Sequence, residues 1–249
     1  MRKLFVILLS LLSTASFAQT DSSSVDTTKS NFDFYTGCTL ASRNYARGVN
    51  FGEGPSIQPV AGIAYKNLTL EFFAAISANG VYNYGTTHDF SLSYSAKGFK
   101  VGLHDYYFFN KNGNHNYFFE TGSDTMNGHY YEVQASYKND KFSILSGYNF
   151  YNTNLKVDGD YWKGVYLEGT YNISDNFSII VAGLTGPSIV NFYEAAGITT
   201  IGLNWSRKIE ISKKLSAIID AKFHVNPNYK NISPGVQKTP MNFFVSLTF

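Results

Sequence analysis

The five histidines are the side chains of this sequence best suited to acid–base chemistry near neutral pH. The stretch THDFSLSY places His88 and Ser91 three positions apart, which puts them on opposite faces of a strand. A serine nucleophile and its histidine base must share one face, and no serine stands two positions from His104 or His129. We therefore expect no enzyme activity, and we interpret each histidine as a residue of a lumen, a loop or an interface.

Asp89 and His104 form the pair with the clearest chemical relationship. If a tight turn at Lys97 joins strands over 86–95 and 99–108, the two side chains lie opposite each other or one step apart, on the same face. A carboxylate beside an imidazole stabilises the charged imidazole, which is the basis of many pH-sensitive sites. The same pair fits a salt-bridge network that stiffens a wall, and we favour that structural interpretation.

The sequence contains no pattern that predicts a metal ion or a cofactor. There is no H-x-x-x-H spacing, and the single cysteine, Cys38, excludes a thiolate cluster and an internal disulfide. No glycine-rich loop joins a strand to a helix. The glycines lie inside strand-like segments instead, as at Gly147, Gly169, Gly183 and Gly202.

The stretch MRKLFVILLSLLSTASFAQT has the features of an export signal. Two basic residues precede an apolar run from Leu4 to about Leu12, and small residues flank Phe17 in the cleavage motif at 16–18. The apolar run is too short to span a membrane as a helix. The pattern therefore predicts a secretory signal peptide over residues 1–18.

Removing Arg2 and Lys3 with this signal leaves 18 basic residues against 18 acidic ones. The sequence holds no basic cluster, so we expect no nucleic-acid partner. The next segment, DSSSVDTTKS, is polar and aperiodic, which predicts a flexible tail over 19–30 and a folded domain over 31–249.

Strand-like alternation recurs through the rest of the sequence, with no apolar run near the ~20 residues that a membrane helix needs. The chain has 21 Phe and 19 Tyr, a composition typical of outer-membrane barrels with aromatic girdles. Each alternating segment is close to the ~10 residues with which a tilted strand crosses a membrane. The predicted strands are 31–41, 56–65, 68–78, 86–95, 99–108, 128–137, 141–150, 161–171, 177–184, 196–207, 215–224 and 239–249.

Short and long connections alternate between these strands. The short ones are 66–67, 96–98, 138–140, 172–176 and 208–214, and the long ones are 42–55, 79–85, 109–127, 151–160, 185–195 and 225–238. Outer-membrane barrels have short turns on the periplasmic side and long loops outside. The sequence therefore predicts an all-β fold, a transmembrane antiparallel up-and-down β-barrel of about 12 strands, set in the outer-membrane lipid of a Gram-negative bacterium.

Alternation also assigns the two faces of the strands. The apolar face, expected against lipid, includes Leu68, Leu70, Phe72, Ile76, Phe99, Val101, Leu103, Leu215, Ala217, Ile219 and Phe223. Charged side chains are costly in lipid and tolerated in a wet lumen. The expected pore-lining residues are therefore Glu71, Asp89, Lys100, His104, Glu132, Glu168, Asp220 and Lys222.

The segment TPMNFFVSLTF alternates in the same way. Its apolar face consists of Met241, Phe243, Val245, Leu247 and Phe249. An aromatic residue that closes such a strand resembles the signal by which the barrel-assembly machinery recognises its substrates. We therefore expect Phe249 to act in assembly.

The stretch SRNYARGVNFGEGPSIQP resembles the opening of the TorF-type porin family, in which an aromatic-rich R-G segment leads to a Pro and a Gln at the second strand. The matching residues are Ser42, Arg47, Gly48, Pro55 and Gln58. The sequence departs from the family at Asn44, where a Tyr is usual, and has Tyr45 one position later. The resemblance covers about the first fifth of the chain and implies an outer-membrane barrel with a pore function.

Arg47 allows two interpretations. An arginine in a loop that folds inward lines the mouth of a pore and attracts anionic solutes. Alternatively, Arg47 and Gly48 shape the loop, with Arg47 paired to Glu53 or to carbonyl oxygens. We favour the second, structural role.

Two functions follow from this architecture. The first is a channel for passive diffusion of small hydrophilic solutes, with selectivity set by pore width and inward charges. The second is a non-conducting structural or interaction barrel, one subunit of a surface complex with a protein partner. The loop 109–127 distinguishes them, because Phe118 and Phe119 either fold into the barrel and narrow it or extend the strands outside.

Overall fold

The computed structural model describes most of the expected barrel domain. The described residues are 31–52, 54–77, 86–108, 129–151, 156–157, 160–161, 164–188, 193–213, 215–232 and 239–249. The predicted signal peptide, the predicted tail and the loop 109–127 lie outside these ranges.

Antiparallel β-strands form almost all of the regular structure. The strands are β1 (Phe32–Ala41), β2 (Asn44–Ala46), β3 (Val49–Gly52), β4 (Ser56–Tyr65), β5 (Leu68–Ser77), β6 (Thr86–Ala96), β7 (Phe99–Phe108), β8 (His129–Lys138), β9 (Phe142–Tyr151), β10 (Lys156–Val157), β11 (Asp160–Tyr161), β12 (Val165–Asn172), β13 (Phe177–Leu184), β14 (Gly197–Ser212), β15 (Leu215–Val225) and β16 (Met241–Thr248). A 3-10 turn at Tyr229–Asn231 is the helical structure within the described ranges. No helix there has the length and apolar character needed to cross a membrane.

Twelve of these strands close into one barrel in which every pairing is antiparallel. The order around the wall is β1, β4, β5, β6, β7, β8, β9, β12, β13, β14, β15 and β16, and β16 returns to β1. Neighbours in the wall are therefore neighbours in the chain, apart from the small hairpins β2–β3 and β10–β11. This confirms the prediction of an all-β, up-and-down barrel of twelve strands.

Two predicted strand boundaries are wrong. Most of the predicted connection at 208–214 is strand, because β14 continues to Ser212. The K-I-E-I-S alternation of this segment has the period of a strand, although we predicted a short connection there. The predicted strand 161–171 begins only at Val165, and Tyr161 belongs to the separate β10–β11 hairpin.

The outer wall of the barrel is apolar, as the alternation predicted. Leu70 is 51% exposed and Phe243 is 59% exposed, although both are large hydrophobic residues. These strands and others expose further large hydrophobic side chains, among them Leu68, Ile76, Phe99, Val101, Leu103, Phe223, Met241 and Val245. Ala217 is an exception, since it is only 2% exposed. Residues between these positions point to the barrel interior because strand side chains alternate in direction.

The first strand pairs unequally with its two neighbours. All ten residues of β1 are in register with β4, whereas its register with β16 covers only Thr39, Leu40 and Ala41. Phe249 extends this seam, since its N–H donates to the Cys38 carbonyl at 3.0 Å and its carbonyl accepts from the Cys38 N–H at 3.3 Å. The seam that closes the barrel therefore depends on few backbone hydrogen bonds.

Candidate functional site

The predicted outer loop at 42–55 does not stay outside the barrel. Its residues 44–52 form the hairpin β2–β3, which lies in the barrel interior and which we call the inserted hairpin. Val49 is completely buried and Phe51 nearly so, although neither belongs to the barrel wall. Burial of these apolar side chains explains the placement, because an exposed loop would leave them in water.

A two-residue turn forms the tip of the inserted hairpin. Arg47 and Gly48 connect Ala46 to Val49, and their φ angles are 51° and 86°. Two left-handed residues are typical of a type I′ turn, which matches the strand twist but is unfavourable for a residue with a side chain. Gly48 is required for packing as well, because a Cβ atom there would lie 2.4 Å from the Thr199 carbonyl oxygen.

Arg47 binds the barrel wall through a bidentate ion pair, which we call the clamp. Its Nη1 donates to Glu132 Oε2 at 2.8 Å and its Nη2 donates to Glu132 Oε1 at 2.7 Å. The two side chains are 13% and 1% exposed, respectively. Parallel bonds of this kind fix both the distance and the orientation of the partners. Among the described residues, the ion-pair partner of Arg47 is therefore a residue of β8. Glu53, one of the partners that we had expected, lies outside the described residues.

Three polar and aromatic side chains complete the clamp. Gln134 donates to Glu132 Oε1 at 2.7 Å and to the Tyr106 hydroxyl at 2.6 Å, and Arg47 Nη2 also donates to that hydroxyl, at 3.2 Å. The guanidinium lies 4.6 Å from the Tyr166 ring centroid, a cation–π arrangement. Burial alone lowers the pKa of Arg47, but Tyr106 and Glu132 reverse the effect and raise the pKa above its ordinary value. Arg47 therefore stays charged in the barrel interior.

The opposite side of the inserted hairpin contacts other strands. Asn226, which follows β15, donates from Nδ2 to the Gly48 carbonyl oxygen at 3.0 Å and also to the Tyr193 hydroxyl. The Tyr45 ring packs against the ring of Phe244 in β16, with centroids 4.9 Å apart. The clamp lies on β7, β8 and β12, so the inserted hairpin crosses the interior from one wall to another.

A cavity of about 130 Å³ remains between the inserted hairpin and the wall formed by β4 to β7. Gln58, Thr87 and Asp89 bring polar groups to it, and Phe73 and Phe108 bring aromatic rings. The inserted hairpin therefore does not pack against every part of the interior, and the remaining space has a mixed polar and aromatic lining.

Asp89 and His104 lie on the same face, but no hydrogen bond joins them in the described structure. The register places Asp89 opposite Tyr106 and His104 opposite Ser91, so the two side chains are one step apart. His88, in contrast, lies on the outer wall, where it stacks on Phe72 with ring centroids 6.2 Å apart. His88 and Ser91 therefore face opposite sides of the wall.

Three predicted lumen acids other than Glu132 form hydrogen bonds along the wall. Glu71 accepts from the Tyr35 hydroxyl at 2.5 Å, and Glu168 accepts from the Tyr166 hydroxyl at 2.7 Å. Asp220 accepts a longer bond, at 3.5 Å, from a serine of β16. These acidic groups therefore lie at separate places around the interior and do not form one cluster.

The predicted basic and imidazole residues are also distributed over different strands. Lys222 Nζ lies 5.3 Å from the ring centroid of Phe244. The His104 ring stacks on Tyr106 at 5.9 Å, and its register partner on β8 is Glu132. Lys100 is exposed and lies close to the turn between β6 and β7. Of the predicted site residues, the structure brings together Arg47 and Glu132, with His104 and Asp89 nearby.

One histidine–carboxylate contact on the outer wall was not predicted from the sequence. His129 Nδ1 lies 2.9 Å from Asp105 Oδ1 and 3.0 Å from Oδ2. The His129 ring also packs against Tyr107, with ring centroids 4.8 Å apart. A carboxylate on an outward-facing strand position was the available sequence signal, since an unpaired charge there would be costly.

No protein-family model matches this chain, and no match is found among the curated proteins. The class of protein is therefore defined by its architecture. It is a closed antiparallel barrel of twelve strands with an apolar outer wall, an interior of mixed polar and apolar side chains and an inserted hairpin.

Proposed function

We propose that this protein is an outer-membrane channel for small hydrophilic solutes in which the inserted hairpin forms the constriction. The observation that carries this proposal is the cavity beside the clamp, which lies inside a closed barrel and has polar groups in its lining. A loop folded inward narrows a barrel without removing the polar groups along which a hydrated solute moves. The ionisable residues of the constriction are Arg47, Glu132 and Asp89.

The apolar outer wall supports a membrane location. Soluble proteins rarely expose apolar patches larger than a few hundred Å². This barrel exposes large hydrophobic side chains on neighbouring strands around its wall. Lipid is the environment in which such a surface is stable, and a barrel of antiparallel strands satisfies its own backbone groups there.

The clamp itself favours a second candidate function, a non-conducting interaction barrel. The inserted hairpin contacts strands on opposite sides of the interior and holds a buried ion pair there. Contacts of this kind hold the inserted hairpin rigidly in the barrel, where it acts as a plug. A plugged barrel presents its outer loops to a protein partner, so a complete lack of conductance would favour this alternative.

Conductance measurement distinguishes the two functions. The full chain, exported by the cell and purified in detergent, is inserted into planar bilayers at low and high salt. We expect small, well-resolved steps for the channel, with ion preference that weakens as salt screens the charges over ~8 Å or less. A protein that is folded by heat-modifiable mobility and shows no steps would contradict the channel proposal.

Exchange of Glu71 for Gln probes the inward face of the channel. Its carboxylate lies on the inward side of β5 and accepts a hydrogen bond from Tyr35. Removing this negative charge is expected to shift the reversal potential toward anion preference at low salt, and less at high salt. A reversal potential that does not move at low salt would show that Glu71 is outside the conduction path.

Sidedness is tested by single cysteines. A Cys38→Ser background leaves no natural thiol. A cysteine at Asn139, in the turn between β8 and β9, is expected to react with an impermeant reagent only after the outer membrane is permeabilised. The matched cysteine at Thr239, at the opposite end of the barrel, should react in intact cells. The reverse result would invert the topology.

A further inference from the structure

Asp89 occupies an unusual position in the cavity beside the inserted hairpin. Its Oδ1 is buried and accepts no hydrogen bond from any described residue. A buried carboxylate oxygen without a donor is energetically costly, because water is lost and nothing replaces it. The cavity of about 130 Å³ lies directly against this residue. Asp89 is thus an acceptor that a bound donor in the cavity can satisfy.

The neighbouring cation does not supply that donor. The guanidinium hydrogen bonds of Arg47 go to Glu132 and to the Tyr106 hydroxyl. Arg47 is therefore paired with Glu132, while Asp89 has no ion-pair partner among the described residues. The cavity lining thus combines the paired guanidinium of Arg47 with one carboxyl group that no cation pairs.

The remaining lining is rich in aromatic rings. The cavity is bordered by Tyr45 and Phe51 of the inserted hairpin and by Phe73, Tyr106 and Phe108 of the wall. Aromatic faces attract cations through their quadrupole, and they also cover the alkyl part of an organic ligand. A carboxylate combined with several rings is the chemistry that recognises an organic ammonium group.

We propose that this cavity is a binding site for a small protonated primary amine. The ammonium group donates to Asp89, and its alkyl part lies among the rings of Phe51, Phe73 and Phe108. An apolar cavity of about 150 Å³ holds benzene, so a ligand of about five or six heavy atoms fits here. The site does not depend on conduction, because binding can occur in a barrel that is plugged.

Binding is tested by calorimetric titration of the full chain in detergent with n-butylammonium. The neutral isostere 1-butanol is the matched ligand, since it has the same length and lacks the charge. We expect saturable binding of the amine and affinity for the alcohol that is lower by about tenfold or more, the difference typical of hydrogen bonds to charged groups. Equal affinity for both ligands, or no saturable binding of the amine, would overturn the proposal.

Two variants locate the site. Asp89→Asn keeps the shape and removes the charge, so amine affinity should fall by about tenfold or more. Phe73→Leu keeps the bulk and removes the π face, so affinity should fall by about threefold. Glu71→Gln is the control, because this acid lies on the same inward face and is bonded to Tyr35. The affinity of the Glu71→Gln variant for the amine should stay at the wild-type value.

The folded state of each variant is checked by heat-modifiable mobility before titration. If Asp89→Asn does not fold, the preference of the wild-type protein for amine over alcohol and the Phe73→Leu titration decide the question. Unchanged amine affinity in a folded Asp89→Asn variant would place the ligand elsewhere. Because no bilayer is involved, this result is independent of whether the protein conducts.

Discussion

Replacing Arg47 with alanine is expected to release the inserted hairpin from the barrel interior. The change leaves Glu132, which is 1% exposed, as a buried carboxylate without its ion-pair partner. Removing one member of a buried ion pair costs about 3–5 kcal/mol. The barrel wall keeps its strand pairing, so this cost falls mainly on the docking of the hairpin. The opened fraction should therefore rise by about a hundredfold or more.

Chemical labelling of a cysteine at position 49 measures this release. Val49 is completely buried in the docked hairpin, so Val49→Cys in a Cys38→Ser background should react slowly. Adding Arg47→Ala should accelerate the reaction by about the factor by which the opened fraction rises. In bilayers, the same variant should show larger conductance steps. Labelling that remains slow would show that the apolar contacts of Val49 and Phe51 hold the hairpin without the clamp.

A second variant disturbs the clamp without replacing either charged residue. A Cβ atom at Gly147 would lie 2.7 Å from Glu132 Oε1, so Gly147→Ala should push the carboxylate away from Arg47. A Cβ atom at Gly169 would meet nothing within 4 Å, which makes Gly169→Ala the matched glycine control. Fast labelling in the first variant and slow labelling in the second would assign the effect to clamp geometry.

The double variant Arg47→Ala with Glu132→Gln separates the two contributions. Neutralising Glu132 removes the buried charge that the single change leaves unpaired. Replacing both partners of a buried pair is often far less costly than replacing one. We therefore expect the double variant to label more slowly than Arg47→Ala alone. A strictly additive result would mean that the two residues do not act as a pair.

At the proposed outer-membrane location, removal of Phe249 is expected to reduce the amount of folded barrel strongly. Its backbone makes both hydrogen bonds to Cys38, next to a register of only three residues between β1 and β16. An unpaired backbone group costs several kcal/mol in lipid. The closing seam therefore loses a large part of its support when these bonds are removed. The measurement is the fraction of heat-modifiable protein in isolated outer membranes.

Phe249→Ala distinguishes the backbone of this residue from its aromatic ring. Alanine keeps both hydrogen bonds to Cys38 and removes the ring. If the seam is limiting, the alanine variant should assemble better than the deletion. If the ring is the feature that the assembly machinery recognises, the two variants should be equally impaired. Normal assembly of the deletion variant would contradict both roles.

The wall of the barrel was predictable from the sequence because a strand has a period of two. Leu68 and Leu70 face outward and Glu71 faces inward in the structure, as their parity required. The number and order of the strands followed from the alternation of short and long connections. These properties depend on residues that are close together in the chain, so a local pattern contains the necessary information.

The interior depended on contacts between distant residues, and only the tertiary structure decided it. The R-G segment at Arg47 was visible in the sequence, but a local pattern cannot show whether a loop turns inward or outward. Its ion-pair partner, Glu132, is 85 positions away, and Asn226 approaches Gly48 from 178 positions away. The inward arrangement is stabilised by burial of Val49 and by pairing of the Arg47 guanidinium with Glu132. Neither contribution exists until the barrel has closed around the hairpin, so neither can be evaluated from the local sequence.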